Sequence, residues 1–426
     1  MASRASPRKG EARLSLFSWK VNNSGGVVAP DERLTWPRTI GTGLQHIAAM
    51  FGATFLVPII THLPPTTTLF FSGVGTMLFL LITRNKLPSY LGSSFAFLAP
   101  IAAAVKGGGM AQALGGVVAT GVILALVGFI VKAAGIKWID WLLPPVVTGS
   151  IVMVIGLNLA GAAKNNFVAS PKEGIITLAA VALIAVIAKG FIARISIFGG
   201  LVFGYLSAWA MGDLHTDGIK AAKWIAMPTF TSPSFKMSAI VLFLPVVLVL
   251  IAENVGHVKA VAAMTGHNLD DVMGDALVAD GVATTLAGIG GGSGTTTYAE
   301  NIGTMAATKV YSTAAYWIAA LGAIILALCP KFGAVLSATP AGVLGGVGVA
   351  LYGMIGVLGA RIWIESKVDF SNSTNLIIAA SSVIIGISDL SWTKGNYTFN
   401  GIINATLVAV IGYRVLHSIA KARNNN

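Results

Sequence analysis

The chain has very few cysteines and very few charged residues. Cys329 is the only cysteine among 426 residues, so no internal disulfide can form and no cysteine-based metal site can be assembled. Only 10% of the residues are charged, whereas an average soluble domain has about 25%. A fold whose main solvent is water is therefore excluded.

Hydrophobic residues take the place of the missing charges. They make up 55% of the chain, and the mean hydropathy is +0.79. Since a helix needs about 20 apolar residues to cross a bilayer, the length leaves room for roughly a dozen or more spans. Runs such as 241–252 are apolar on every face, which no strand of a membrane barrel would be. We therefore predict an all-α, multi-pass membrane protein.

The apolar runs predict fourteen membrane spans. Their predicted bounds are 39–61, 67–83, 88–105, 110–131, 145–163, 174–191, 195–212, 238–263, 273–291, 293–308, 311–329, 337–360, 374–390 and 400–418. If the N-terminus is cytoplasmic, the inside segments hold 20 of the 28 Lys and Arg residues and the outside segments hold 8. Because cytoplasmic loops carry the excess of Lys and Arg, both termini are predicted to be cytoplasmic.

Two segments outside the spans carry their own predictions. Residues 1–38 contain Arg4, Arg8, Lys9 and Arg13 but no apolar core, which indicates a basic cytoplasmic tail rather than a cleaved signal peptide. Residues 136–143 combine tryptophans with an acidic residue ahead of two prolines. They fit an interfacial amphipathic connector between two groups of spans, or equally a ragged start to span five.

A short internal repeat relates the two halves of the chain. Residues 72–78 and 280–286 share four of seven identities at an offset of 208 residues, and the same offset carries Gln45 onto Glu253. Chance could produce such a match among small apolar residues. If it is real, each copy contains seven spans, and an odd number places the copies in opposite orientations, as in alternating-access transporters.

Each half also contains an interrupted apolar segment, at 88–100 and at 290–303. Gly, Ser and Thr at this density leave backbone groups without helical partners, which at membrane depth is tolerated where the backbone lines a buried cavity. The half-helices that follow would point their positive N-terminal ends, near Phe95 and Glu300, into that cavity.

Two carboxyl groups fall at membrane depth. Glu253 follows an apolar run and Glu300 lies in the broken tenth span. A carboxyl group at the bilayer centre costs about 2.5–3.5 kcal/mol on insertion scales, so each is predicted to face a cavity, pair or bind. A structural contact between helices is the alternative. His257 lies four residues after Glu253 on the same helix face and could share or relay a proton.

Other polar and aromatic candidates are ambiguous. Asp280 and Asp275 lie near the predicted start of span nine, where helix capping explains an acid as well as function does. His46, next to Gln45, fits either an inter-helix contact or a site-lining role. The aromatic candidates could each serve packing, and two of them fall in the broken segments; they are Phe95, Tyr298 and Trp317.

The polar set suits a nucleobase. A uracil ring is flat and presents two N–H donors flanked by carbonyl acceptors. Carboxylates can accept from the N–H groups, backbone N–H groups freed by the broken helices can donate to the carbonyls, and an aromatic ring can cover the face. Such pairing would discriminate against unlike bases.

Four stretches make the sequence specific. They are Gln45-His46, Tyr90-Leu-Gly-Ser-Ser-Phe-Ala-Phe97, Ala252-Glu-Asn-Val-Gly-His257 and Thr297-Tyr-Ala-Glu-Asn-Ile-Gly303. They resemble the hallmark motifs of the xanthine/uracil permeases, or nucleobase-ascorbate transporters, over nearly the full chain. Residues 300–309 fit the family signature Gln/Glu/Pro-Asn-x-Gly-x-x-x-x-Thr-Arg/Lys/Gly throughout. A glutamate at position 300 resembles the uracil branch of the family. An asparagine at position 254 resembles the pyrimidine permeases of uracil catabolism, which leaves thymine or xanthine possible as the substrate.

The resemblance implies a fold of fourteen spans in a seven-plus-seven inverted repeat. A core domain would comprise 39–135 and 238–330, and a gate domain 136–213 and 331–420, after the 1–38 tail. The unwound parts of spans three and ten would pair as short antiparallel strands. The family further implies location in the bacterial inner membrane and a possible homodimer.

The resemblance also implies roles for individual residues. The base would be held by Glu253 and Glu300, by the backbone around Phe95 and by Tyr298. Neighbouring site positions would be Ser94 and Gly92, with Gln45, His46, Asn301 and Asp280 as a second tier. His257 and the two glutamates would serve coupling to protons, the expected coupling ion, with no cofactor and no metal.

Three other functions are less consistent with the sequence. An anion carrier of the related fourteen-span fold would expect a cationic or neutral site, which two acids disfavour. A membrane-embedded enzyme would need a nucleophile with a base or a metal cluster, and the chain has neither a His-Glu-x-x-His nor a Walker motif. The net charge of +12 follows membrane topology, so no nucleic-acid partner is expected. The prediction is therefore a proton-coupled importer of uracil, with a purine permease as the alternative.

Overall fold

The computed structural model describes residues 17–23, 25–394 and 397–424, and most of them are helical. The predicted basic residues from Arg4 to Arg13 lie outside the described residues. The helices are α1 Trp36–Thr61, α2 Pro65–Ile82, α3 Leu98–Gly108, α4 Met110–Ala134, α5 Lys137–Leu142, α6 Pro145–Asn158, α7 Ala160–Ala169, α8 Pro171–Ile187, α9 Phe191–Arg194, α10 Ser196–Met211, α11 Asp217–Ala221, α12 Met237–Thr265, α13 Asp270–Gly290, α14 Ala299–Thr308, α15 Thr313–Ala327, α16 Pro330–Ser337, α17 Ala341–Glu365, α18 Ser373–Ile387, α19 Gly401–Leu407 and α20 Tyr413–Asn424.

Within the described ranges, short strands form three two-stranded sheets. The strands are β1 Lys20–Val21, β2 Glu32–Arg33, β3 Leu91–Ser93, β4 Thr295–Thr297, β5 Trp392–Lys394 and β6 Tyr397–Phe399. The β3–β4 pair is antiparallel and joins the two interrupted segments, as predicted. A 3₁₀ turn, Phe95–Phe97, leads from β3 into α3, and a π-helical turn, Val408–Gly412, joins α19 to α20.

Proline and glycine set many of the helix bounds. Helices α2, α6, α8 and α16 each begin with a proline, whose missing N–H would have no helical partner at that position. Helices α12 and α13 end at Gly266 and Gly291, which adopt φ values of 69° and 92° that favour glycine. The apolar runs therefore fold into discrete helices with defined ends.

Eight helical segments of the described chain are long and apolar enough to cross a membrane. A ninth is possible if α15 and α16, which meet at an angle of 83°, count as one span. Each of the fourteen predicted spans overlaps at least one helix, but several of these helices are short, for example α3, α14 and α18. The chain is thus a multi-pass membrane protein.

The helices pack in two groups. In the first, α4 and α2 both pack against α13, α2 also packs against α15, and α12 contacts α4. In the second, α17 packs against α6, α7, α8 and α10, and α18 packs against α6 and α19. The contact between α4 and α13 is close, because a Cβ at Gly121 would lie 2.6 Å from the Gly281 carbonyl oxygen and one at Gly128 would lie 2.9 Å from that of Gly274.

The segments flanking the first group have definite structure. Residues 136–143 contain a separate short helix, α5, which ends before Pro144, so the ragged-start alternative for span five is wrong. The described part of the tail is docked: Val28 bridges Val310, and the Trp19 indole donates to the Thr313 hydroxyl at 2.8 Å. The described residues between 17 and 35 therefore cover the junction between α14 and α15.

Candidate functional site

Three elements bring the predicted residues together. Helix α12 carries Glu253 and His257 one turn apart, and α14 has Glu300 in its first turn. The 3₁₀ turn after β3 carries Phe95. All four residues line one cavity of about 430 Å³, a volume within the usual range for a small-molecule site.

The antiparallel strands form the floor of this cavity. Gly92 pairs with Thr296, and the Tyr298 backbone N–H donates to the Tyr90 carbonyl oxygen at 3.2 Å just beyond the strand. The Tyr298 hydroxyl donates to the Ser93 carbonyl oxygen at 2.9 Å and accepts from the Thr54 hydroxyl at 3.2 Å. The hydroxyl group of Tyr298 is thus used within the protein, and its ring is what borders the cavity.

Gly92 and Ser94 act on the shape of the site. Gly92 does not line the cavity, and a Cβ there would overlap the Tyr298 ring. Ser94 does line the cavity, and its hydroxyl accepts from the Ala96 backbone N–H at 3.3 Å, which caps the 3₁₀ turn. Its own backbone N–H donates to the Gly294 carbonyl oxygen at 3.0 Å. Both residues thereby position the aromatic groups of the site.

A buried polar chain runs from the cavity into the first helix group. The His257 Nδ1 atom lies 2.7 Å from the Thr297 hydroxyl, which donates to the Asn254 side-chain oxygen at 3.4 Å. The Asn254 amide donates to Asp280 at 2.8 Å, and the Thr295 hydroxyl donates to the second oxygen of Asp280, also at 2.8 Å. Three hydrogen bonds thus connect a cavity-lining histidine to a fully buried carboxyl group, and Thr295 adds a fourth bond at its far end.

The capping interpretation of Asp280 and Asp275 is wrong. Helix α13 runs from Asp270 to Gly290, so Asp280 lies in mid-helix with its side chain buried. Asp275 forms an ion pair with Lys132 of α4. Asp280 therefore belongs to the chain behind the site, whereas Asp275 joins two helices of the first group.

The remaining second-tier residues lie outside the cavity. His46 is fully buried, its Nδ1 atom lies 3.1 Å from the Asn301 side-chain amide, and its ring packs against Tyr316 with centroids 4.2 Å apart. Gln45 is half-buried and does not line the cavity. These positions connect α1 to α14, next to Glu300, and support the inter-helix role of His46. Trp317 also lies elsewhere and donates to Asn85.

The cavity has a second wall that sequence reasoning missed. It comes from α6 and α17 and includes Thr148, Ile355 and, near the end of α17, Arg361 and Glu365, which form an ion pair at 2.6 Å. Both of these charged side chains are more than half exposed, so the cavity opens beside them. The spacing of four residues predicts their helical pairing, but nothing in the local sequence places them at the cavity.

On the side of the cavity away from Arg361 and Glu365, apolar side chains of the two helix groups pack against each other. Phe95 meets Tyr352 edge to face at 5.9 Å, and Leu56 and Val57 of α1 belong to one buried cluster with Leu351. Members of this cluster, or residues packed on it, also border a second cavity of about 660 Å³ near the α1–α2 turn. The cluster therefore separates two cavities. Within the described residues, no group of three potential ligand side chains is arranged for a metal ion.

Comparison with known proteins identifies the family. A sequence model of a permease family, the xanthine/uracil permeases, matches residues 37–395. The chain belongs to this family. It is accordingly a transporter rather than an enzyme.

Its relatives in bacteria are similar along almost their whole length. The chain is 44% identical over 419 residues to the Escherichia coli K12 protein named "Putative pyrimidine permease RutG", covering 94% of this chain and 95% of the relative. It is 43% identical to the Escherichia coli K12 uracil permease (90% and 92% covered) and 35% identical to that of Bacillus subtilis strain 168 (87% and 91%).

Solved structures with the same fold are more distant in sequence. Murine Slc26a9, an anion transporter in the inward-facing state, superposes with a TM-score of 0.72 at 13% identity, covering 99% of this chain and 74% of that one. The transmembrane domain of the cyanobacterial bicarbonate transporter BicA gives 0.60 at 16% identity, covering 88% and 96%. These likenesses establish the fold of the permease.

Proposed function

We propose that this permease imports uracil by proton symport. The observation that carries the proposal is the pairing of Glu253 and Glu300 in one cavity with the ring of Tyr298. Two carboxylates offer acceptors for the two N–H groups of a uracil ring, and the aromatic ring covers its face. The relatives named uracil permease support this choice of base. The two acidic side chains would repel an anion, so the fold shared with anion transporters does not favour an anionic substrate here.

The proposed coupling ion is the proton, held by His257 and the two glutamates. The support is the hydrogen-bonded chain from His257 through Thr297 and Asn254 to Asp280. Hydrogen bonds in such a chain polarise one another, so a change of charge at one end is felt at the other.

The proposed architecture is fourteen spans in a seven-plus-seven inverted repeat. If span n corresponds to span n + 7, the contact of α4 with α13, which are spans four and nine, corresponds to the contact of α15 with α2. In the same way α4–α12 corresponds to α15–α1, and α8–α17 corresponds to α18–α6. All six contacts occur, and the β3–β4 and α6–α17 contacts map onto themselves. This pattern supports the repeat more strongly than the seven-residue match does.

The proposed division of the chain follows the two packing groups. The core domain comprises 39–135 and 238–330, and the gate domain 136–213 and 331–420. In the orientation that places both termini in the cytoplasm of a bacterial inner membrane, Arg361 and Glu365 lie on the inside. The cavity then opens inward, and the Phe95–Tyr352 cluster closes it from outside, as alternating access requires. Two chains would associate through their gate domains.

Uptake of labelled uracil in a strain without its own uracil permease tests the function. Competition by unlabelled uracil, thymine, xanthine, uric acid and cytosine defines the substrate class. Uracil and thymine should compete and the purines should not. Strong competition by xanthine, with none by uracil, would assign the chain to the purine branch and refute the proposal.

A further inference from the structure

Thr296 occupies the middle of β4 and faces the central cavity. Its side chain is 2% exposed, and its hydroxyl oxygen has no hydrogen-bond partner of ordinary geometry in the described part of the chain. The carboxyl group of Glu253 lies beside it, close enough to accept a long hydrogen bond from this hydroxyl. A buried hydroxyl with no well-formed hydrogen bond, next to a site carboxylate, is a group that a ligand can satisfy.

The strand geometry explains why this hydroxyl has no partner on either strand. Side chains alternate along a strand, so Thr295 and Thr297 point to the other face of β4, where they bond to Asp280 and His257. On the cavity face, the residue opposite Thr296 is Gly92, which has no side chain to offer. The hydroxyl of Tyr298 is already bonded to the Ser93 carbonyl oxygen.

A carboxylate beside a hydroxyl suits the edge of a ring that presents an N–H next to a carbonyl. An ionised carboxylate only accepts hydrogen bonds, whereas a hydroxyl can donate. We infer that Thr296 is a specificity-determining residue whose hydroxyl donates to a ring carbonyl oxygen, adjacent to the N–H that Glu253 accepts. The ligand class is a planar ring with an N–H next to a carbonyl, as in an imide or lactam. This inference rests on the proposed function and adds a second contact to its site.

The test compares Thr296→Val, which removes the hydroxyl at nearly constant volume, with Thr296→Ser, which keeps it. Thr285→Val is the matched control, because the Thr285 hydroxyl bonds within its own helix to the Gly281 carbonyl oxygen and does not line the cavity. Each variant is assayed for labelled uracil uptake, for the amount inserted in the membrane, and for inhibition by 2-thiouracil and 4-thiouracil. A thiocarbonyl sulfur is a poor hydrogen-bond acceptor, so one analogue lacks the acceptor that Thr296 uses.

Thr296→Val should raise the KM for uracil about 10- to 100-fold at unchanged maximal rate, and Thr296→Ser should stay within a few-fold of the original protein. In the original protein one thio analogue should bind more weakly than uracil, and Thr296→Val should abolish that preference. An equal loss for uracil and both analogues, or an unchanged KM, would overturn the inference. Thr296→Ala replaces the valine variant if that one fails to insert.

The two proposals fail in different ways. If the original protein takes up no uracil, the proposed substrate is wrong. The ratio of variant to original KM, measured with whichever nucleobase is transported and its thio analogues, then still decides the role of Thr296.

Discussion

The Asn254 side chain donates to Asp280 across the α12–α13 interface, with 2.8 Å between nitrogen and oxygen. The same amide nitrogen also donates to the Leu250 carbonyl oxygen at 2.9 Å, and the amide oxygen faces the Thr297 hydroxyl. The amide is therefore fixed in one orientation. It ties the helix that carries Glu253 to the strand that crosses the cavity and to a carboxyl group that no solvent reaches.

Asp280→Asn should weaken this connection without changing its shape. The amide that replaces the carboxyl group can still accept from Asn254, but its N–H₂ then faces the Thr295 hydroxyl, which must turn and give up the hydrogen bond it donates, at a cost of about 1–3 kcal/mol. We expect a lower midpoint of thermal unfolding in detergent and a strongly reduced uptake rate. Asp275→Asn is the control, because its partner Lys132 is half exposed. An unchanged midpoint for Asp280→Asn would contradict the role of the chain.

Glu253→Gln and Glu300→Gln should each reduce uracil uptake by at least about 10-fold while the protein still inserts. The amide places a donor where the ring presents an N–H, so one buried pair becomes donor against donor. Glu173→Gln is the control, since that carboxyl group lies in the first turn of α8, away from the cavity. Normal uptake by both site variants, at equal amounts in the membrane, would sink the assignment.

Uptake should depend on the proton gradient. An inward gradient imposed on proteoliposomes should increase the initial rate of uracil uptake, and a protonophore should abolish that increase. His257→Asn should reduce gradient-driven accumulation more than it reduces exchange of uracil across the membrane, because exchange needs no net proton movement. An initial rate of uracil uptake that the protonophore does not change would exclude proton symport.

The contact between Phe95 and Tyr352 should limit access from the second cavity. Replacing Cys329 by Ser and introducing Val57→Cys gives a protein with one thiol inside the apolar cluster. Tyr352→Ala should then accelerate labelling of that thiol by a membrane-impermeant maleimide added outside, several-fold or more. Tyr413→Ala, outside the cluster, should have no effect. Equal labelling rates with and without the Tyr352 ring would show that the cluster is not the barrier.

The sequence predicts those site residues that would be costly to bury in an apolar environment. Glu253 and Glu300 interrupt apolar surroundings, and the glycine- and threonine-rich segments cannot form continuous helices, so each must face something polar. The opposite wall could not be predicted in this way. Tyr352 and Arg361 are ordinary residues of an apolar helix and its end, and only the packing of α17 across the cavity gives them a role.

The remaining differences between prediction and structure concern where helices begin and end. The sequence places Asp280 near a helix start because polar residues at the N-terminus of α13 do not count toward the apolar run, whereas the helix begins at Asp270. The sharp bend between α15 and α16 follows from Pro330, which begins a new helix directly after the predicted end of span eleven at residue 329. Hydropathy reports the length of an apolar run, but it does not report the direction of the chain within it.

The glycines between α4 and α13 have a consequence for genetics. Every single-base change in a glycine codon that alters the amino acid and leaves the chain intact adds at least a Cβ, and at Gly121, Gly128, Gly274 and Gly281 that atom would meet the backbone of the facing helix. A screen for alleles that have lost uptake should therefore recover these four positions as readily as the site carboxylates. An immunoblot of membranes should distinguish glycine alleles from carboxylate alleles, since only the glycine alleles should lower the amount of protein in the membrane.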